Sequence, residues 1–86
     1  MKMIVAITPT NISEQISDQL IDTGFGVTKF ASTAGFLQGG TTTLMIGVEE
    51  DKLEEALDLI REEVPHEEDQ VLTTIYVINI KNTARI

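Results

Sequence analysis

The sequence predicts an α+β domain of β-α-β-β-α-β order, a four-stranded antiparallel sheet carrying two helices on one face. Three observations predict it: four short runs rich in apolar and β-branched residues, two segments with apolar residues at helical spacing, and breaker residues between them. Its 86 residues provide one core and one domain, with no room for a second.

The first strand is expected over Met1–Thr8. Met3, Ile4, Val5, Ala6 and Ile7 form a continuous apolar run, too short for a helix, which reads as a buried central strand. Thr8, Pro9, Thr10 and Asn11 break it. Asn11 with Glu14 three residues on matches a capping box, and Ile12, Ile16 and Leu20 recur at helical spacing until Gly24 supplies the stop. Phe25–Ala31 is the second strand, Ser32–Gly40 a loop containing Gly35, Gly39 and Gly40, and Thr41–Val48 the third strand.

The second helix has the clearest pattern. Leu53, Ala56, Leu57, Ile60 and Val64 mark one face, and acids fill most of the other. Asp51 is the expected N-cap, with Glu54 at the capping-box position and Glu49 and Glu50 near the positive end of the helix. Pro65 ends it, His66–Gln70 is an acidic link, and Val71–Ile80 is the fourth strand. With right-handed crossovers this order gives the ferredoxin-like arrangement, which hosts many functions and decides none. Both helices then lie on one side. Leu72, Thr74, Tyr76, Ile78 and Ile80 alternate with Val71, Thr73, Ile75 and Val77, so apolar residues fall on both faces of the last strand. An uncovered apolar face predicts a second subunit packed against it.

Six Lys and Arg against fourteen Asp and Glu give a net charge of -8, which argues against a nucleic-acid duplex and against a polybasic membrane contact. Glu49–Asp69 holds eleven acids and two bases, a net of -9, and the rest of the chain sums to +1. The acidity therefore belongs to the second helix and its link and says little about a ligand surface elsewhere. The absence of cysteine excludes disulfides, thiol nucleophiles and cysteine metal sites. No apolar run approaches a membrane span and the first residues lack signal-peptide character, so a soluble cytoplasmic domain is the expectation.

The most unusual local sequence is Thr28-Lys29-Phe30-Ala31-Ser32-Thr33-Ala34-Gly35-Phe36-Leu37-Gln38-Gly39-Gly40-Thr41-Thr42-Thr43. Its glycines leave amides accessible, its hydroxyls can meet phosphate or ring nitrogens, and Phe36-Leu37 offers an apolar platform for a base. The same segment also reads as a plain turn with Phe36 and Leu37 packed into a subunit interface. Neither a Walker pattern nor a dinucleotide fingerprint is present.

Together with Met1–Ile7, Gly40, Thr42-Thr43 and Gly47-Val48, this segment resembles the cyclic-di-AMP receptor family of PII-like signal-transduction proteins. The resemblance runs from Met1 to about Val64, and Val71–Ile80 is similar to the family's last strand. It implies a homotrimer with a small-ligand site in each cleft between subunits. The implied ligand contacts are Gly26, Val27, Thr28, Gly35, Phe36, Leu37, Thr41 and Gly47. Departures accompany it: the family commonly has an Arg near Gly26, a Gly at Ala34, an Arg at Gln38 and an Asn at Thr41, and a longer segment where this chain has Pro65–Gln70. Lost cations predict weak or absent cyclic-di-AMP binding and leave a different or smaller nucleotide-type ligand open.

Other chemistry is thinly supported. His66 with Glu67, Glu68 and Asp69 reads as a hard-cation site or a solvated turn, and neither a metal nor a cofactor is expected. Lys29 has no general base beside it for Schiff-base chemistry. An acylphosphatase would want an Arg beside an Asn, and Arg61 and Arg85 fall in no suitable loop. The reading is therefore a regulatory protein rather than an enzyme. Its partners are a nucleotide-like ligand, copies of itself and an unidentified protein target. The alternative is a trimeric scaffold or interaction module that has lost the nucleotide site.

Overall fold

In a computed structural model, which describes residues 1–32, 40–64, 73–81 and 84, the chain runs in the expected order. The elements are β1 (Lys2–Pro9), α1 (Thr10–Thr23), β2 (Gly26–Ser32), β3 (Thr41–Val48), a 3-10 turn (Glu50–Lys52), α2 (Leu53–Glu63) and β4 (Thr74–Asn79). The sheet order is β2-β3-β1-β4 and every neighbouring pair is antiparallel, so the architecture is ferredoxin-like. The apolar run of β1 does lie inside the sheet, bonded to β3 on one side and β4 on the other.

Register sorts the side chains onto two faces. Ile4 lies opposite Ile46 and Ala6 opposite Leu44, and all four are fully buried beneath the helices. They meet Ile12, Ile16 and Leu20 of α1 and Ala56, Leu57 and Ile60 of α2 in one core. Six large aliphatic side chains, Ile4, Ile16, Leu20, Leu44, Ile46 and Ile60, are completely shielded, each contributing about 2 kcal/mol. The helical periodicities therefore face where the sequence places them.

The helix ends differ from the capping boxes expected. α1 starts at Thr10, so Asn11 lies inside the first turn and its side chain caps nothing. Its place is taken by the approach of β3: the Thr10 amide donates to the Gly40 carbonyl at 3.2 Å, and Ser13 Oγ donates to the Thr10 carbonyl at 2.7 Å. Gly24 stops α1 as expected. It sits at φ 104°, in the left-handed region, with its amide donating to Ile21 O and the Phe25 amide to Leu20 O, a Schellman closure. Asp51 is not the cap of α2 either. Glu50–Lys52 winds into a 3-10 turn held by the Lys52 amide on Glu49 O, and α2 begins at Leu53. Val64, before Pro65, is extended (φ -87°, ψ 126°), as the proline ring demands of its predecessor.

A row of hydroxyls crosses the helix-facing side at one end of the sheet. Thr8 and Thr42 lie opposite each other in β1 and β3 and are both 1% exposed. Thr8 Oγ1 is 2.9 Å from Thr73 Oγ1, and Thr42 Oγ1 is 3.0 Å from Thr10 Oγ1. β4 is described from Thr74, and Val71 and Leu72 lie outside the described residues. Pairing with β1 extends past its end, because the Ile80 amide donates to Met1 O at 3.0 Å.

Among the described residues, the opposite face of the sheet carries no helix. Met3, Val5 and Ile7 of β1 lie on it beside Ile78, Tyr76 and Thr74 of β4 and Gly47, Met45 and Thr43 of β3. Phe30, Tyr76 and Ile78 there are about half exposed, at 55%, 54% and 49%.

Candidate functional site

A groove of about 530 Å³ opens on this uncovered face where β1 and β2 begin and β3 ends. Met1, Met3, Gly26, Thr28, Phe30, Met45, Gly47 and Ile80 line it. The register explains the set. Gly26 lies opposite Gly47, Thr28 opposite Met45 and Phe30 opposite Thr43, so alternate residues of β2 and β3 present their side chains to the same face. The volume lies within the roughly 300–1,000 Å³ of small-molecule sites.

Three residues of the expected ligand set, Gly26, Thr28 and Gly47, thus meet in one groove. The two glycines face each other across the ladder, and a Cβ built on either would find nothing within 4 Å among the described residues. Neither has positive φ. Nothing within the described protomer requires glycine at these positions; what they provide is a flat, open floor. Val27 is one residue out of phase, lies opposite Ile46, and packs half-buried against the core beneath the helices. Thr41 shares the open face but sits at the other end of β3, six residues from Gly47 and so about 20 Å along the strand. Gly35, Phe36 and Leu37 lie outside the described residues, as does His66.

Lys29, the only cation of the sequence segment, does not reach this groove. It lies opposite Leu44 on the helix-facing side, and its Nζ is 2.7 Å from Glu14 Oε1 of α1. Lys2 also points to that side, donating to Asn79 Oδ1 and lying 3.5 Å from Glu50 Oε1. No charged side chain lines the groove among the described residues.

Sequence reasoning passed over Met1, Met3, Phe30, Met45 and Ile80. The signal for two of them was available, since Phe30 is two residues from Thr28 and Met45 two from Gly47, on the same strand faces. All three methionines of the chain line the groove. A second recess of about 290 Å³ lies across the glycine pair, bounded by Phe25, Glu49, Lys52 and Glu55. Among the described residues there is no cluster of three or more potential metal ligands, and no helix is long and apolar enough to cross a membrane.

The model of the cyclic-di-AMP receptor family matches residues 1–85. The chain belongs to the cyclic-di-AMP receptor family. The resemblance read from the residues ran from Met1 to about Val64 with Val71–Ile80 as a last strand, and the match takes in the short link and the tail as well. Among solved structures, this receptor-family chain is similar to a functionally unknown protein from Pediococcus pentosaceus, with 33% identity and a TM-score of 0.80. That alignment covers 99% of this chain and 96% of the other, so the two are nearly equal in length. A cyclic-di-AMP receptor family member with a short link before β4 therefore has a structural counterpart of similar size.

Proposed function

We propose that the protein is a non-enzymatic regulatory receptor that binds a small nucleotide-type ligand in clefts between the subunits of a homotrimer. The observation that carries this reading is the coincidence of the family match with the groove: Gly26, Thr28 and Gly47 line a cavity on the sheet face opposite the two described helices. A groove open on one side needs a second wall to enclose a ligand. The half-exposed Tyr76 and Ile78 beside it supply an apolar surface on which a neighbouring subunit would rest. Ligand and neighbour would then stabilise the same assembly, which is how binding becomes a signal to a protein target. The setting of such a receptor is the cytoplasm, where the nucleotide is.

Thermal-shift and calorimetric titration with cyclic-di-AMP, ATP and AMP test this reading. A saturable rise in melting temperature with at least one nucleotide is the expected result. Unchanged melting with all of them, in a protein that still assembles, would instead favour a scaffold that keeps the trimer without a ligand.

A further inference from the structure

At the end of the sheet away from the groove, hydroxyl side chains from four elements meet on the helix-facing side. Thr8 and Thr42 lie side by side at the end of β1 and the start of β3, and both are fully buried. From this pair one branch runs to Thr73, just before β4, with the Thr8 and Thr73 Oγ1 atoms 2.9 Å apart. The other branch runs to α1. Thr42 Oγ1 lies 3.0 Å from Thr10 Oγ1, the buried Ser13 Oγ donates to the Thr10 carbonyl, and the Thr10 amide donates to Gly40 O, two residues before Thr42.

Apolar burial does not account for these hydroxyls. Ile4 and Ala6 of β1 and Leu44, Ile46 and Val48 of β3 line the same face, and valine has nearly the shape of threonine. Replacing both partners of such a pair by apolar groups of the same shape costs little. What a hydroxyl pair adds is direction and an all-or-none character. A buried hydroxyl that loses its partner is worse off than one that is bonded or one that is hydrated, so the members of the row are released together, as water enters. The elements they join are weakly held by themselves. Among the described residues no side chain caps α1, and its first turn has no acid. Pro9, opposite Thr41, brings no amide to the ladder between β1 and β3.

We propose that the row is a latch: the first turn of α1, the start of β3 and the entry to β4 open and close as one unit, short of global unfolding. The fold thereby carries a two-state element at the far end of the sheet from the groove, whose balance a protein target can shift by binding one of the two states.

Amide exchange of the full chain, followed by NMR, tests this across the row. Thr73→Val breaks the bond between Thr8 and Thr73 and is remote from Thr10 in sequence, and Thr73 is only partly buried, so the variant folds. It is expected to quicken exchange of the Thr10 amide at least about threefold. Thr73→Ser, which keeps the hydroxyl, and Gly24→Ala, which weakens the other end of α1, leave that rate within about twofold of the parent. An unchanged Thr10 rate in Thr73→Val would reduce the row to separate hydrogen bonds and overturn the latch. Equal quickening in Thr73→Val and Gly24→Ala would also overturn it, because Thr10 would then be following global stability.

Discussion

Glycines in this chain serve two different ends, and single substitutions separate them. Gly24 closes α1 at φ 104°, where a Cβ is strained, whereas Gly26 and Gly47 have ordinary extended backbone and open space around them. Urea denaturation should find Gly24→Ala destabilised by about 1–2 kcal/mol, while Gly26→Ala and Gly47→Ala stay within about 0.5 kcal/mol of the parent. The last two should nonetheless weaken ligand binding, because they raise the groove floor. Equal destabilisation by all three would mean that the facing glycines serve the fold. The ion pair of Lys29 and Glu14 weighs little by comparison. Glu14 is well exposed and Lys29 partly so, and Glu14→Gln should change stability by less than about 0.5 kcal/mol.

The elements themselves were largely legible. β3 has the expected bounds, and the other strands and helices lie within a few residues of theirs. Periodicity carries that information because burial is decided by which side chains share a face, and Ile12, Ile16, Leu20, Ala56, Leu57 and Ile60 announce theirs. Helix starts were less legible. Asn11 and Asp51 have the right chemistry for caps, but the first turn of α1 is fixed by the carbonyl of Gly40, thirty residues away in sequence, which no local pattern contains. The hydroxyl row from Thr73 through Thr8 and Thr42 to Thr10 is tertiary in the same way. It links the start of β4 to the start of α1, so Thr8→Val and Thr42→Val should each cost about 1–2 kcal/mol, since both hydroxyls are buried and partnered. Amide exchange at Thr10 should quicken in Thr42→Val and stay near the parent rate in a surface control such as Thr23→Val. Equal protection in both variants would remove the row from the anchoring of α1.

Across the whole molecule, the uneven distribution of apolar surface is what the fold leaves unresolved. One sheet face packs its central strands beneath two helices and the other presents Phe30, Tyr76 and Ile78 half exposed. The alternation in the last strand made this face readable from sequence; the groove within it was only partly so. Gly26, Thr28 and Gly47 came through the family resemblance, but Met3 and Ile80 enter only because β1 lies between β3 and β4, a pairing fixed by the sheet order. Lys29 shows the complementary limit: being in the right segment says nothing until the register shows which face its side chain takes. For the proposed trimer, light scattering at micromolar concentration should give about three times the 9.5 kDa chain mass, and Tyr76→Lys should reduce it to one chain without unfolding. A monomeric parent protein would remove the inter-subunit cleft.

The central claim is that a nucleotide-type ligand occupies the groove on the open face. Backbone amide NMR of the isotopically labelled protein, titrated with adenosine and with cyclic-di-AMP, tests it most directly. The account predicts saturable shifts concentrated at Gly26, Thr28, Phe30, Met45 and Gly47, with Lys52 and Glu55 of the smaller recess and Asp18 of α1 unmoved. Shifts centred on the smaller recess, or a spectrum unchanged at saturating concentrations of both ligands, would contradict it.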